Sequence, residues 1–420
     1  MVREIPEITA AAATDLWDTY ALPRRPVVVR GLFRDQPIAD AATVAGARRL
    51  LGAAPVLIKE EYSRSFAGDG QAPEPELASL DDYVGRYGDE PDSGRVVTEW
   101  DVPPTLLELF TLPEFCRPQA PVHDLFLHAF LAGPGNYAHL HFDQDQRHVL
   151  LVQVFGRKRV VVFPPSASRW LHPFGNLGSV RLQGMAPAER DAFIDLAGGM
   201  QTILEPTDAL FMPLLVWHFA DYVDFGMSFN IRFRRNAHNR FLSADNFAGD
   251  RYVQAVSEPF GAVRVGDPLP ADLAAEFARI TAVHDADHPD REAKYRAMRA
   301  TFRDVARQRG DGADPVYVFP LDDMDERQAM LGMRDTFRYR PDGRSSADMM
   351  VVDDRPAAGS QLRMVRDLVR RHGYPDSLFA RVLANKFAKA TVEELSRGEV
   401  ARLVAYLQSP SGLLRAPVTV

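Results

Sequence analysis

HVLLVQVFGRKRVVVFPP, residues 148–165, is the stretch on which the fold turns. Two runs rich in Val, Leu and Phe, each of strand length, are separated by Gly156 and end on Pro164 and Pro165. Short β-branched and aromatic runs bounded by Gly and Pro read as buried strands rather than helices. The same texture continues on both sides: LFLHAFLAG (125–133) comes before, and DALFMPLLVWHF (208–219) and GMSFNIRFRR (226–235) come after. The last of these alternates apolar with polar residues, which predicts a half-buried strand. Several strands this close together predict a mainly β core of the barrel or double-sheet jelly-roll kind, with helical sequence, ERDAFIDLAG (189–198), set into it.

Outside this region the pattern is mixed. Residues 1–20 read as helical, PRRPVVVRGLF (23–33) as a strand closed by Gly31, AATVAGARRLLG (41–52) as a helix, VLIKEEY (56–62) as a strand and SLDDYVGRY (79–87) as a capped helix. Beyond about residue 245 the strands give out. ADLAAEFARITAVHDA (271–286) and EAKYRAMRATFRDVARQRG (292–310) carry apolar residues at helical spacing, Pro341 to Ser360 is polar and loop-like, and SRGEVARLVAYLQ (396–408) opens with Ser396 and Glu399 in capping-box register. The expected division is a β-rich domain with an N-terminal extension over 1–245, a helical segment over 246–340 and a small helical unit over 341–420.

The bulk composition narrows the function. With 420 residues, 46% hydrophobic and 25% charged, the chain has ample material for real cores. A net charge of −8 argues against a nonspecific nucleic-acid binder; RRNAHNR (234–240) is the best candidate for a local basic patch, and a solvated loop is its plainer reading. Cys116 is the sole cysteine, so an internal disulfide and a thiolate zinc cluster are both excluded, and any metal must sit on His, Asp or Glu. The N-terminal residues have no apolar core of signal-peptide length, and no run approaches the roughly eighteen apolar residues that cross a bilayer. A cytoplasmic, membrane-free protein is the expectation.

GNYAHLHFD (135–143) supplies such ligands: His139, His141 and Asp143 alternate with Leu140 and Phe142, so an extended chain points all three to one face. Two histidines and a carboxylate on one side of a metal, with the other positions open, are the donor set of non-haem iron oxygenases. His141 and Asp143 meet the i, i+2 requirement, and His218, at the end of an apolar run, is the candidate third ligand. An H-x-D alone is weak, because a surface strand with polar residues outward is the plainer reading, and a histidine ending an apolar run is more often a hydrogen-bonded core residue. Three pieces in this order, with GRKR (156–159) between them, favour the metal.

Over residues 23–245 the chain resembles the JmjC, or cupin-like, family of Fe(II)- and 2-oxoglutarate-dependent oxygenases, and in layout its protein-asparaginyl hydroxylases. PVVVRGL looks like the family's opening strand, GNYAHLHFD its first ligand strand, QVFGRKRVVVFPP the strand of the cosubstrate lysine, DALFMPLLVWH its second ligand strand and SFNIRF its closing strand. The resemblance implies that His141, Asp143 and His218 bind Fe(II). It implies that Lys158 pairs with the distal carboxylate of 2-oxoglutarate, a task suited to a compact ammonium, and that Asn230 lies near the cosubstrate's metal-bound end. A solvated strand lysine and an asparagine capping a strand bend are the plain alternatives. Where relatives have a Thr or Ser three residues before the first ligand, this chain has Ala138, and Tyr137 is the neighbouring hydroxyl. The segment between Asp143 and Gly156 is longer than the family pattern, which puts the polar residue after the Asp near Arg147 or His148, with a bulge or loop absorbing the excess.

His139 falls outside the implied ligand set and is either a supporting group, a substrate contact or neither; His123, His128 and His172 read as structural. The implied activity is hydroxylation of a C–H bond with O2 as co-reactant. A protein or peptide side chain is the first expected substrate, a small molecule or natural product the second, and a non-catalytic cupin-like binding module is the rival from another class. By the same resemblance of layout, the C-terminal helices are candidates for homodimerisation.

Overall fold

The structure is a computed structural model and describes most of residues 2–60, 75–117, 125–243, 252–309 and 356–403. Sixteen strands occur in it: β1 (Arg3–Glu4), β2 (Glu7–Thr9), β3 (Val27–Arg30), β4 (Pro55–Glu60), β5 (Glu76–Ser79), β6 (Arg95–Asp101), β7 (Phe126–Ala132), β8 (Tyr137–His141), β9 (His148–Phe155), β10 (Lys158–Phe163), β11 (Pro173–Phe174), β12 (Leu177–Gly178), β13 (Met200–Leu204), β14 (Ala209–Met212), β15 (Trp217–Tyr222) and β16 (Gly226–Phe233). They form two sheets, a seven-stranded one in the order β1-β13-β10-β15-β8-β12-β11 and a nine-stranded one in the order β2-β3-β14-β9-β16-β7-β6-β4-β5. This is a jelly-roll core with flanking helices.

From β7 to β10, and again from β13 to β16, successive strands alternate between the two sheets. β9 and β10 are joined at Gly156, whose φ of +67° and whose missing Cβ, which would lie 2.2 Å from the Phe225 carbonyl oxygen, require glycine there. Between the sheets lies an apolar layer from both: Val149, Leu151, Leu210 and Met212 on one side, Val160, Val162, Leu204 and Ala220 on the other. The outer faces are covered as well. Val152, Val154, Phe229 and Ile231 pack under the N-terminal elements and the helices Val44–Leu51 and Leu80–Tyr87, while Leu140, Phe142, Val161, Phe163, Trp217 and Phe219 pack under the segment that includes the helix Pro187–Leu196. A sheet covered on both faces needs apolar residues on both, which is why every residue of β9 is buried and its sequence shows no alternation.

Four sequence expectations are corrected. The N-terminal twenty residues are not one helix: they hold β1, β2, a 3₁₀ turn at Ala10–Ala12 and a π-helical turn at Trp17–Ala21, because β1 and β2 extend the edges of the two sheets by parallel pairing with β13 and β3. DALFMPLLVWHF is two strands. Pro213 cannot donate to a ladder, Leu215 takes a left-handed φ of +64°, and the chain leaves the nine-stranded sheet after Met212 to enter the seven-stranded one at Trp217. The alternation of GMSFNIRF does not divide core from solvent: Met227, Phe229, Ile231 and Phe233 face the outer core, while Ser228 and Asn230, both buried, share the opposite face. RRNAHNR is no solvated loop either. Arg235, Asn236 and Asn239 are buried, and Asn236 caps the short helix Ala237–Phe241.

Helices Ala271–Asp285 and Arg291–Arg309 share a core with Val253–Ser257 through Ile280, Phe302, Val305 and Val256. Arg309 donates to the carbonyls of Ala255 (2.6 Å) and Val256 (2.8 Å) and pairs with Glu276. Helices Gly359–Arg371 and Asp376–Phe387 pack with Val392, Leu395, Val400 and Leu403 into a cluster of their own, so their described apolar residues find partners within the chain. Ser396 and Glu399 form the reciprocal box expected of them, at 2.9 and 3.3 Å. His123, His172 and residues 341–355 lie outside the described residues. Among those described, no helix is long and apolar enough to cross a membrane.

Candidate metal centre

His141 ends β8 and His218 is the second residue of β15, and the two are directly opposite in the antiparallel ladder. Their rings lie 4.2 Å apart, centroid to centroid. Pairing requires a local adjustment. Ala138 and His141 on β8 oppose Ala220 and His218 on β15, so β8 carries one extra residue across this step, a bulge of the kind that re-aims side chains next to functional sites. Asp143 follows two residues on, its Oδ1 3.7 Å from His141 Nε2. One potential ligand atom from each of His141, Asp143 and His218 lies within 4.8 Å of the others, and among the described residues this is the cluster able to hold a metal.

Each imidazole is oriented by its own strand. His141 Nδ1 donates to the His139 carbonyl at 2.5 Å, and His218 Nδ1 to the Val216 carbonyl at 3.1 Å. A carbonyl only accepts, so each Nδ1 carries a proton, and it is Nε2 that faces the cluster. Burial, reinforced by the neighbouring His218, pushes the His141 pKa down to about 3, which keeps it in the neutral form that ligates. Burial alone would raise the Asp143 carboxyl, but Arg232, then His218, His141 and Arg147, outweigh it and hold the pKa at about 2. Arg232 reaches Asp143 Oδ1 at 3.4 Å and Asp145 Oδ2 at 3.5 Å. Asp143 Oδ2 is buried with no hydrogen-bond partner. An ionised, unpartnered carboxylate oxygen beside two imidazole nitrogens is a donor set that fits a divalent iron.

Behind the cluster, Lys158 stands at the foot of β10, opposite Tyr222. Its ammonium is buried, lies 4.1 Å from the centre of the Tyr222 ring and donates to Ser228 of the other sheet. Among the described residues it has no carboxylate partner. Burial pushes its pKa down to about 7, and an unpaired buried ammonium is a costly arrangement that an anionic ligand would relieve. Asn230, two residues from Ser228 on β16, is buried with Oδ1 unpartnered.

The remaining sequence candidates divide. Arg147 is buried, stacks 4.3 Å from the centre of the Phe126 ring and pairs with Asp145 at 2.8 Å; the excess length after Asp143 is taken up in a turn in which Gln146 adopts φ +56°. Tyr137 is not brought to Lys158. Its ring stacks on Phe219 at 6.1 Å and packs against the outer core, opposite Asp221. Ala138, opposite Ala220, takes the inner position instead, because adjacent strand residues face opposite ways. His139 Nε2 donates to the Gly178 carbonyl, 2.7 Å away, tying β12 to β8 while its own carbonyl orients His141. His128 lies 3.6 Å from Asp101. Ser228, Tyr222 and Arg232 were not singled out from sequence; the two-residue period through Asn230 would have reached Ser228 and Arg232.

Residues 107–239 match the family described as cupin-like domain. Lysine-specific demethylase 8 of Danio rerio is 24% identical over 250 residues, 55% of this chain and 58% of that protein. tRNA wybutosine-synthesizing protein 5 of the same organism is 28% identical over 182 residues, 42% of this chain and 53% of that one. Jumonji C domain-containing protein 5 of Drosophila melanogaster is 26% identical over 190 residues, 40% of this chain and 45% of its own length. The chain thus spans about half the length of the curated relatives it matches. With a double-sheet core and a His-Asp-His cluster between its strands, residues 107–239 form a cupin-like domain, and the chain is similar over part of its length to JmjC-domain proteins.

Proposed function

We propose that this protein is an Fe(II)- and 2-oxoglutarate-dependent dioxygenase that hydroxylates a C–H bond, with a protein or peptide side chain as substrate. The observation that carries the reading is the pairing of two orphaned groups in one inter-sheet space: a buried carboxylate oxygen beside two imidazoles at one end, and a buried ammonium without a counter-ion at the other. Fe(II) bound with 2-oxoglutarate and O2 supplies the oxidising chemistry that no side chain of the protein provides. The chain's own part is binding and exclusion. His141, Asp143 and His218 would hold the metal from one side, and Arg232 keeps Asp143 ionised for it. Lys158, with Ser228 and Tyr222, would take the distal carboxylate of the cosubstrate. Asn230 offers an amide to its other end, and Arg147 closes the turn after the ligands. Val160, Val162 and Ala220 line the space between the sheets and keep bulk water from it.

Protein substrates are supported by the similarity to lysine-specific demethylase 8. A nucleoside in RNA is the second reading, supported by the similarity to tRNA wybutosine-synthesizing protein 5. The test is anaerobic titration with Fe(II) and 2-oxoglutarate, followed by aerobic incubation with peptide, RNA and metabolite pools. A weak visible charge-transfer band, succinate release and the mass gain of one oxygen atom in peptides are expected. A silent spectrum would make the protein a non-catalytic binding module. Oxygen gained in RNA or in small molecules alone would replace the protein substrate.

A further inference from the structure

Both turns that carry the candidate ligands are gripped from the two short helices Ala237–Phe241 and Val253–Ser257, which supply no ligand. On the first turn, the Gln146 backbone N–H donates to the Asp143 carbonyl at 3.3 Å, and Gln146 sits buried in a left-handed conformation. Its side-chain amide is held at both ends: Nε2 donates to the Leu242 carbonyl at 2.6 Å, and Oε1 accepts from Asn239 Nδ2 at 3.0 Å. Asn239 Nδ2 also reaches the Ser257 carbonyl at 3.2 Å. On the second turn, Leu215, three residues before His218 and likewise left-handed, has its carbonyl bonded at 2.9 Å by Nε2 of Gln254, a buried residue of the helix Val253–Ser257. Val253 packs beside Leu214, Leu215 and Trp217. Asn236 Nδ2 ties the first helix to the residues after the second through the carbonyls of Phe260 (2.7 Å) and Val263 (3.0 Å).

We propose that residues 236–243 and 252–263 form a clasp that sets the separation of Asp143 and His218, with Gln146, Asn239 and Gln254 as positioning residues for the metal centre. Buried amides are retained only where their hydrogen bonds are made, and non-glycine residues with positive φ persist only where the surroundings over-determine them. Here the Gln146 amide is bonded at both ends, Asn239 Nδ2 makes two bonds and Gln254 Nε2 one, at the two turns flanking the candidate ligands. Gln146, Asn236 and Asn239 lie within the stretch that matches the cupin-like domain, and Leu242, Gln254 and Ser257 beyond it, so the clasp joins that domain to the helices that follow. The inference rests on the metal-binding part of the proposed function and not on its substrate.

The experiment is Co(II) titration of the full chain, followed by visible absorption, for wild type, Asn239→Leu and Gln254→Met, with Asn136→Leu as control. Asn136 is a buried asparagine bonded to Gly133 and Gly94 and to neither ligand turn. Thermal unfolding without metal is recorded for each. Outer groups that orient ligands are worth about 10–100-fold in metal affinity, so each clasp variant is expected to weaken Co(II) binding at least about tenfold and to shift its absorption band, while Asn136→Leu leaves affinity and band unchanged at a comparable loss of melting temperature. Wild-type affinity and band in either folded clasp variant, or equal weakening in the control, would overturn the clasp. If one variant does not fold, the other decides, since each leg alone is expected to weaken binding. Wild type that binds Co(II) with the expected variant effects but consumes no 2-oxoglutarate would sink the oxygenase reading and leave the clasp standing.

Discussion

The two ends of the inter-sheet space are built in opposite ways. At the metal end, His141 and His218 are each oriented by a carbonyl two residues earlier on the same strand, and Asp143 is two residues from His141. At the base, Lys158 depends on Tyr222 from a neighbouring strand and on Ser228 from the other sheet. The metal end also stays partly open, with about a quarter of the His141 side chain exposed, whereas Lys158 is sealed. Geometry held by local backbone tolerates exposure, because the strand itself fixes the ring. A lone ammonium in the interior must instead be held by partners that only the assembled fold brings near.

That difference can be broken from either end. The largest effect is expected from His218→Ala: metal affinity should fall by more than about a hundredfold and succinate formation should cease, whereas turnover at the wild-type rate would remove His218 from the ligand set. Lys158→Ala should separate the ends, raising the KM for 2-oxoglutarate about a hundredfold, or ~3 kcal/mol, with metal affinity unchanged; a parallel loss of metal would mean the two ends act as one.

Lys158 also sets a pH dependence. Its pKa is lowered to about 7 by burial, so it is charged below that pH and neutral above it. A carboxylate needs it charged. Cosubstrate affinity should therefore be level below pH 7 and fall by about tenfold per pH unit above it; a flat profile to pH 9 would show that another group carries the contact. The smallest effect is expected of Ser228→Ala, which removes one hydrogen bond from the ammonium and should raise that KM about fivefold, ~1 kcal/mol, as read from initial rates.

The same contrast accounts for what was legible in advance. That His141, Asp143 and His218 come together could be read because a period of two places His141 and Asp143 together in any extended chain, and Trp217-His218 stands out at the end of an apolar run. The strand content was readable from β9 and β10 for the same local reason. The break inside DALFMPLLVWHF was not, since Leu210 and Trp217 look alike in composition although one faces the inter-sheet layer and the other the outer core. Nor could alternation in GMSFNIRF reveal that its polar face meets an enclosed space rather than water, because hydropathy records which face is polar and not what lies opposite.

The sequence by itself determined the donor types and their local aim: two imidazoles, one carboxylate, no usable thiol cluster, and strands short enough to stack in two sheets. Tertiary structure alone decided that His218 stands opposite His141, that Lys158 meets Ser228 across the sheets, that Tyr137 turns outward onto Phe219, and that two short helices grip both turns that carry the candidate ligands. The physical reason is range. Backbone periodicity acts over two to four residues, while the cost of burying an unpartnered amide or charge is settled only by whichever distant groups the closed fold sets beside it.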